Sequence, residues 1–504
     1  MRRANFTGVY TGNAAADFLF GVSAGDTTPA PQVRNIAAEW RDGFWVTDNW
    51  RATKRLTLDL GLRYELPTVP YTVNGYATIL NLSMTALIPS NPPQRGFELT
   101  SPNHKDFAPR IGAAYRVTEK TVVRLGYGIY YNPNQTNSFT FLSVNPPFAF
   151  STSYSATASN PILTLSNPQP AALGNSPSST PNIISPAWHL PTETMHQWST
   201  DLQQGLWGNG ALDIGYLGSH ALHLDRSYQI NTPMPGPGAI QARRPNQLFG
   251  TIRIIANDEV ANYDGLSFTY RQRLTHGVTA LSSYTWSHTL DVTTDSNGGG
   301  APMNPFNWHA DYGSANWDIR HRWVTSATYQ LPSWQSIKFA AARYMLGGWQ
   351  ANGIFIVQSG FPFNVTIPTD QANTGVGNQR PNLVATPSNN CGNGHLVNCI
   401  NLAAYQLPTF YTYGNSGRNT LVGPGLRNLD FSLFKNFSIK ERAHVQYRAE
   451  FFNLLNTPNF SNPSTSLPSP TAGTNTYSSP GSFGNITSTS HDNRSIQMAL
   501  KFVF

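Results

Sequence analysis

The sequence is poor in charged residues and cysteine, and it contains no long hydrophobic run. Charged residues make up 12% of its 504 residues, about half the share of a typical soluble domain. Its 2 cysteines are too few for a disulfide framework. A bundle of membrane helices is excluded, because each span needs about 20 consecutive apolar residues. Disorder is excluded as well, since 12% of the residues are aromatic.

What the chain does contain indicates a β-rich protein with many turns. It has 41 Gly and 37 Pro. The net charge of +7 comes from 33 Lys and Arg residues that are scattered singly, so we expect no basic patch and no nucleic-acid partner. The first residues, MRRANFTGVYTGNAAADFLFG, interrupt every apolar stretch with a polar residue, which is not the pattern of a secretory signal.

Alternation of apolar and polar residues is the dominant pattern. In RLTLDLGLRYEL, at 55–66, every second residue from Leu56 to Tyr64 is apolar, and the residues between them are polar or glycine. Successive side chains of a strand point to opposite faces. The alternation recurs in segments of about ten residues, the length that a tilted strand needs to cross a membrane. We predict about fourteen such strands, at 3–12, 40–50, 55–66, 107–117, 121–131, 193–207, 210–227, 262–274, 277–290, 318–331, 347–358, 426–437, 441–453 and 494–504.

The connections between these strands alternate in length. Short ones are predicted at 51–54, 118–120, 208–209, 275–276 and 438–440, and long ones at 67–106, 132–192, 228–261, 290–317, 368–425 and 454–492. The segment 246–256 would add a strand but would break this alternation, so we predict a loop there. Tight turns on one rim and long loops on the other are typical of bacterial outer-membrane barrels. The fold class is therefore predicted to be all-β, an antiparallel transmembrane β-barrel with short periplasmic turns and long extracellular loops.

The distribution of charge favours a membrane sheet over a soluble β-sandwich. A charged side chain that faces lipid near mid-bilayer costs roughly 2–4 kcal/mol, and the apolar phase of the strands is almost free of charge. Lys435 is the exception, and we expect it to snorkel to the interface. The last strand ends with Leu500, Phe502 and Phe504 in its apolar phase. Such an ending resembles the assembly signal of outer-membrane barrels, so we expect the barrel assembly machinery, outer-membrane lipid and lipopolysaccharide as partners.

Seven stretches of the chain resemble the barrel of TonB-dependent outer-membrane receptors. They are TGNAAADFLFG at 11–21, WVTDNWRATKRLTLDLGLRYE at 45–65, DFAPRIGAAYRV at 106–117, ALSSYTWSHTLD at 280–291, WDIRHRWVTSATYQLP at 317–332, GGWQANGIFIVQSGFPF at 347–363 and NLLNTPNF at 453–460. The sequence is most similar to the Oar-like branch, which carries a carboxypeptidase-regulatory-like domain ahead of its plug. The resemblance extends from about residue 5 to the last residue.

The resemblance also implies parts that this sequence does not contain. Members of the family have a signal peptide, the regulatory-like domain, a periplasmic TonB-contact segment, and a plug inside a barrel of about 22 strands. About eight strands would be missing. Residues 1–504 are therefore expected to be the C-terminal part of a receptor barrel, shortened by a gene model, a pseudogene or cloning. Such a fragment would have unpaired edge strands and would not transport alone, and the TonB complex would be a partner only of the full-length form.

Candidate sites for small-molecule chemistry are few, and we expect neither a cofactor nor an enzyme activity. Cys391 and Cys399, with His395 between them, would suit zinc, but an extracellular loop favours a disulfide instead. His220 and His223 have a spacing that suits a metal, although a ligand role is the weaker interpretation. No nucleophile lies in a catalytic signature, and the glycines at 298–300 lack the context of a phosphate-binding loop. We predict no metal site.

Two sets of residues are candidates for contact with a ligand or a plug. The first set is charged and lies in the lumen-facing phase: Arg63, Glu65, Arg110, Arg124, Asp213, Arg271, Arg273, Arg320, Arg322, Arg448 and Glu450. Cross-strand pairing that stabilises the wall is an equally good interpretation for any one of them. The second set is aromatic and lies in the long loops, where rings would stack on a sugar or peptide: Trp188, Trp308, Tyr411 and Tyr413.

Three functions are compatible with these observations. The first is an outer-membrane receptor barrel fragment for TonB-energised uptake of a large substrate. The second is a structural or adhesive surface barrel that acts through its long loops. The third is a soluble carbohydrate-binding β-protein.

Overall fold

One large antiparallel sheet dominates the computed structural model of the chain, which describes residues 3–29, 34–90, 96–133, 137–148, 151–155, 163–167, 180–293, 302–332, 338–392, 394–440, 443–469, 477 and 479–504. Thirteen strands follow one another across the sheet in chain order. They are β1 (Arg41–Trp50), β2 (Leu56–Pro67), β3 (Asp106–Arg116), β4 (Thr121–Asn132), β5 (Glu193–Gly205), β6 (Gly210–Gln229), β7 (Ile252–Thr275), β8 (Val278–Asp291), β9 (His321–Gln330), β10 (Trp349–Gln358), β11 (Leu426–Lys440), β12 (Ala443–Phe452) and β13 (Ser495–Val503). The sheet is not closed, because β1 and β13 lie at its two edges.

Short hairpin turns join the strands at one rim of the sheet, which we call the turn rim. Between β7 and β8, His276 and Gly277 have φ values of 51° and 82°. Between β5 and β6, Gly208 and Asn209 have φ values of 65° and 60°. Left-handed residues in two-residue turns match the twist of antiparallel strands. The long connections that the sequence predicted lie at the opposite rim, the loop rim. The turn rim carries one longer connection as well, between β9 and β10, which contains the helix Ala340–Leu346.

Further short elements belong mainly to the loops. The remaining strands are Arg3–Asn5, Gly25–Pro29, Ala37–Ala38, Tyr71–Thr72, Thr78–Leu80, Leu87–Pro89, Phe97–Glu98, Ser151–Ser155, Ile183–Pro186, Gly313–Ser314, Pro362–Phe363, Asn382–Leu383, Tyr405–Gln406 and Leu421–Val422. The helical segments are Ala14–Leu19, Asn137–Thr140, Phe141–Val144, Ile240–Arg243, Trp308–Asp311, Ala340–Leu346 and Leu402–Ala404. In the described part of the chain, no helix has the length and apolar character that a membrane span requires.

Thirteen of the fourteen predicted strands are present, and the prediction for 3–12 was wrong. Only Arg3–Asn5 is extended, and it pairs with Gly25–Pro29 in a separate small sheet. Gly8 and Gly12 have φ values of 80° and 79°, which interrupts any strand. Asn13 then caps the helix Ala14–Leu19 by accepting hydrogen bonds from the first backbone N–H groups. The N-terminal segment therefore behaves as another loop.

The loop predicted at 246–256 was also wrong in part, because β7 begins at Ile252. Residues 252–260 of β7 pair with the end of β6 and, in parallel, with Ile183–Pro186. The next strand, β8, pairs with β7 only from Ala261 onwards. Residues 252–260 and the end of β6 thus extend together beyond β8 at the loop rim.

The register divides the sheet into a polar face and an apolar face. Among the described residues, charged side chains in the apolar phase of the strands include Asp42, Asp48, Asp264, Arg427 and Lys435. The prediction that Lys435 was the exception therefore missed four charges, although these lie towards the rims. There the cost of exposing a charge to lipid falls to about 0–1 kcal/mol.

Lys435 does not snorkel to water, so that expectation was wrong. Its side chain is buried, with 3% exposed. Its Nζ donates to the carbonyl oxygens of Tyr344, Met345 and Gly347 at the end of the helix Ala340–Leu346. A cation at a helix C-terminus satisfies carbonyl groups that lack intrahelical partners. The connection between β9 and β10 supplies this helix, and the sequence pattern did not reveal it.

Replacing Lys435 by Met should release this helix from the sheet. We expect the helix to lose about 1–3 kcal/mol of local stability, because several carbonyl acceptors lose a charged donor. Hydrogen exchange of peptides covering 340–347 would measure the loss. The matched control is Lys501→Met, which removes an exposed lysine of β13. Unchanged exchange at 340–347 in Lys435→Met would contradict the assigned role.

The hydrophobic cores lie in the loops and around the start of β7, at the loop rim of the sheet. The N-terminal cap has two adjoining clusters: Ala77, Ile79, Leu99, Phe139, Leu142, Ile184, Leu190 and Ile255 form one, and Ile183, Phe249, Ile252, Ile254 and Ala256 form the other. The C-terminal cap contains Phe363, Val365, Ile367, Cys391, Cys399, Ile400, Ala404, Tyr405, Leu407, Leu421, Leu467, Phe483 and Ile486. The long connections are therefore folded units that cover the loop rim.

Candidate functional site

The polar face of the sheet carries the predicted lumen-facing residues. Arg63 of β2 pairs with Ala108 of β3, and Arg110 pairs with Gly61 and Gly128. Following the register from strand to strand shows that the predicted residues that lie within strands share one face of the sheet. They are Arg63, Glu65, Arg110, Arg124, Asp213, Arg271, Arg273, Arg322, Arg448 and Glu450. Arg320 directly precedes β9. The sheet thus brings the set onto one surface, but it spreads them over seven strands between β2 and β12 and into no single pocket.

Several of these charges are paired within the wall. Arg63 Nη2 donates to Glu65 Oε2 at 3.2 Å. Arg271 Nη1 lies 3.8 Å from Asp213 Oδ2. Arg320 Nη2 lies 3.5 Å from Asp318 Oδ2. For these residues the geometry favours wall stabilisation, although exposed ion pairs contribute only about 0–1 kcal/mol each.

Other arginines contact neutral groups instead. Arg124 Nη1 donates to Gln203 Oε1 at 3.1 Å. The guanidinium of Arg110 lies 4.6 Å from the ring centroid of Tyr130, and that of Arg448 lies 4.9 Å from the ring of Phe434. Among the described residues, no carboxylate lies within salt-bridge distance of these three guanidinium groups. They leave positive charge on the polar face that an anionic group of a ligand or a plug would neutralise.

Glycines shape a groove on the polar face across β1 to β5. The groove has a volume of about 430 Å³ and is floored by Gly61, Gly112, Gly126 and Gly128. Asp59, Arg110, Tyr130, Gln197 and Ser199 line its sides. A side chain at Gly126 would meet Ser199 Oγ at 3.1 Å, and one at Gly128 would meet the ring of Tyr130 at 3.0 Å. The glycines therefore keep open a space that larger residues would fill, and the sequence analysis did not identify it.

The aromatic loop candidates do not form one site. Trp188 lies in the β4–β5 loop, Trp308 in the β8–β9 loop, and Tyr411 and Tyr413 in the β10–β11 loop. Trp308 stacks on His309 at 3.8 Å. Tyr413 donates to Thr374 Oγ1 at 3.3 Å, and burial raises its pKa. Within the described residues, no ring of one of these loops stacks on a ring of another. Their role in ligand binding stays a prediction.

The cysteines form a disulfide in the C-terminal cap. Cys391 and Cys399 are bonded, with their Cα atoms 4.8 Å apart, and both are buried. His395 makes backbone contacts to the same turn. Among the described residues no group of three or more His, Cys, Asp or Glu side chains could hold a metal.

His220 and His223 point to different surroundings. His220 Nδ1 lies 2.6 Å from Asn262 Oδ1, whereas His223 has a φ of 60° at a bulge of β6.

The last strand, β13, forms one edge of the sheet and exposes apolar side chains there. Leu500 is 74% exposed, and Phe504, directly after β13, is 92% exposed. The role of this strand as an assembly signal stays a prediction.

The comparison with protein-family models agrees with this architecture. The family model for the outer membrane beta barrel domain matches residues 3–497. No curated protein sequence matches the chain. Three similar solved structures are the ferric-catecholate import receptor Fiu from Escherichia coli K12, the siderophore receptor PiuA from Acinetobacter baumannii and FpvA from Pseudomonas aeruginosa bound to heterologous pyoverdines.

These three structures are distant from the chain in sequence. For Fiu the identity is 10% and the TM-score 0.41, over 95% of this chain and 45% of that chain. For PiuA the identity is 11% and the TM-score 0.42, over 96% of this chain and 44% of that chain. For FpvA the identity is 11% and the TM-score 0.43, over 93% of this chain and 39% of that chain. The chain spans less than half the length of these structures.

The family match contradicts the soluble carbohydrate-binding alternative. The chain belongs to the outer membrane beta barrel domain family, and it is a protein of the bacterial outer membrane.

Proposed function

We propose that this chain is the C-terminal barrel portion of a TonB-dependent receptor of the Oar-like type. The complete receptor would take up a large substrate with energy relayed from the inner membrane. The observation that carries the proposal is the polar face, where Arg110, Arg124 and Arg448 have no carboxylate partner among the described residues. A plug or a passing ligand would supply the missing acceptors.

The directions of the two edge strands support a larger barrel. β1 ends in a short turn at the turn rim, and β13 follows a long loop, so both strands run from the loop rim to the turn rim. Two edges with the same direction cannot pair antiparallel with each other. Antiparallel closure needs an odd number of further strands, of which the first and the last run towards the loop rim.

This count revises the number of additional strands. Thirteen strands form the continuous sheet, so a 22-stranded barrel needs about nine more, instead of the expected eight. The N-terminal segment agrees with this direction, because Arg3–Asn5 and Gly25–Pro29 form one small sheet with Ser151–Ser155 of the β4–β5 loop. A strand that precedes residue 3 would therefore arrive at the loop rim.

Uptake by the complete gene tests this proposal. The gene, extended upstream of Met1, would be expressed in otherwise identical strains with and without TonB. We expect uptake of size-graded fluorescent oligosaccharides or peptides only where TonB is present, and no uptake with residues 1–504 alone. Uptake that does not depend on TonB, or an upstream region that encodes neither a plug nor further strands, would contradict the proposal.

The packed loops favour one alternative, a structural or adhesive surface barrel. Each cap has its own hydrophobic core, and the C-terminal cap is cross-linked by the disulfide Cys391–Cys399. A rigid outer surface suits binding of another surface as well as capture of a ligand. This alternative predicts surface attachment that is lost when loop residues are changed and that is equal with and without TonB.

A further inference from the structure

A large cleft lies where β8 to β11 meet the C-terminal cap, and Arg322 and Gln358 of the polar face are among the residues that line it. Its volume is about 880 Å³. Its floor is one register row of the apolar face: Tyr284, Trp323, Val357 and Arg427. Asn389 to Gly392 overhang this floor, and residues 457–460 line one side. The cleft therefore lies at the level where the apolar face meets the loops.

Arg427 places a positive charge in this cleft. It is exposed in the apolar phase of β11, and no carboxylate pairs with it among the described residues. Asn459 fixes the backbone of Arg427, since Arg427 N donates to Asn459 Oδ1 at 2.8 Å and Asn459 Nδ2 donates to the Arg427 carbonyl at 3.1 Å. An unpaired guanidinium at the edge of the apolar face is positioned for an anion at the depth of the lipid head groups.

Aromatic side chains line the floor beside this charge. The hydroxyl of Tyr284 lies 2.8 Å from His321 Nδ1. Trp323 Nε1 donates to Ser282 Oγ at 2.9 Å, while 46% of the residue is exposed. Amphipathic rings held in this way are typical of the membrane–water interface. They lie in the same register row as Arg427, with Val357 between Trp323 and Arg427, so a sugar ring that contacts them would span the row.

The roof of the cleft is polar and anchored. The disulfide Cys391–Cys399 closes the turn, Asn390 N donates to the Cys399 carbonyl at 3.0 Å, and Asn389 Nδ2 donates to the Val422 carbonyl at 3.2 Å. The side chain of Asn390 is exposed. Its amide group offers both a donor and an acceptor to a polar head group.

We infer that this cleft binds the phosphorylated sugar head group of a glycolipid of the outer leaflet, a lipopolysaccharide. Arg427 would pair with a phosphate, the rings of Tyr284 and Trp323 would contact the sugar, and the acyl chains would continue along the apolar face below. A phospholipid offers the phosphate without the sugars, and inorganic phosphate lacks both sugar and acyl chains. The inference does not depend on transport, only on the location of the protein in the outer membrane.

Native mass spectrometry of the whole chain in detergent tests this inference. Three probes would be titrated: lipid A with both phosphates, the same lipid A with its phosphates removed, and phosphatidylglycerol. We expect the phosphorylated lipid A to bind most tightly. Arg427→Gln should weaken that binding roughly five- to tenfold, because one cation near a head group loses its anionic partner. Arg427→Lys should retain most of the affinity, and Asn390→Ala should weaken binding of lipid A without affecting phosphatidylglycerol.

The control variant is Arg55→Gln, which removes an exposed arginine at the opposite rim. It should bind lipid A like the unmodified protein. Heat-dependent migration in gels would verify that each variant keeps its fold, which we expect because the Arg427 side chain is exposed. Equal binding by Arg427→Gln, equal binding of dephosphorylated lipid A, or equally tight binding of phosphatidylglycerol would each overturn the inference.

Discussion

Replacing Arg380 by Met should unfold part of the loop layer, with a loss of about 3–5 kcal/mol in the free energy of unfolding. Arg380 is 3% exposed and Asp311 is 4% exposed. The Arg380 guanidinium donates to Asp311 Oδ1, to the Ser416 carbonyl at 2.8 Å and to the Ala310 carbonyl at 2.7 Å. The variant leaves Asp311 as a buried charge without its cation, and this accounts for most of the expected loss.

Hydrogen exchange of peptides covering 303–312 and 379–383 would measure this loss. The double variant Arg380→Met/Asp311→Asn removes both charges and should recover much of the stability, because no unpaired charge stays buried. Arg55→Met, at the exposed turn rim, serves as the control and should change the free energy of unfolding by less than about 0.5 kcal/mol. A loss in Arg380→Met no larger than in this control would contradict the assigned role of the pair.

Stability of the loop layer should fall as the pH rises from about 4.5 to about 8, because of Glu259. This residue is 2% exposed and lies in the part of β7 that extends beyond β8 at the loop rim. Burial raises the pKa of Glu259 from 4.5 to about 8. Its carboxyl group accepts a hydrogen bond from the Val292 N–H at 3.2 Å and another from the Thr293 N–H.

The sign of this dependence follows from the proton that the folded state holds. Between its unfolded and folded pKa values, Glu259 is protonated in the folded protein and ionised in the unfolded chain. The folded state therefore loses stability with rising pH across this interval, by up to about 1.4 kcal/mol per pH unit. Above the folded pKa, Glu259 is ionised in both states, and the stability no longer changes with pH through this residue.

Glu259→Gln provides the matched comparison, because the amide keeps the oxygen acceptor and cannot ionise. As the pH is raised, the protection from exchange of peptides covering Val292 and Thr293 should fall in the unmodified protein. In Glu259→Gln it should not show this fall. The difference between the two proteins isolates Glu259 from the neighbouring charges of Asp291, Arg226 and Arg418. Parallel pH profiles for both proteins would contradict the raised pKa.

The strands of the sheet were predictable from the sequence because alternation is a local property. The segment at 55–66 shows its two faces without reference to any partner, and β2 at Leu56–Pro67 agrees within one residue. The polar phase of Arg63, Arg124 and Arg448 follows from the same rule. The prediction for 3–12 was wrong because glycines with positive φ and a helix cap interrupt an apolar pattern that looks like a strand.

The candidate site was predictable only in part. The alternation of residues along each strand identified the polar face. It did not show which charges would pair, because the Arg271–Asp213 contact depends on the register of neighbouring strands. The glycine groove was also hidden, because Gly61, Gly112 and Gly126 meet only when three strands are aligned. Lys435 and the helix that it caps lie 88 to 91 residues apart.

The sequence by itself determined the membrane-spanning sheet, its two faces and the alternation of short turns with long loops. Each of these follows from residues that are neighbours along the chain, so no partner needs to be known. The tertiary structure decided what the long loops do. Their buried cores, the ion pair between Arg380 and Asp311 and the cleft at Arg427 join segments far apart in sequence. Burial and charge pairing at such distances depend on packing, which no local pattern records.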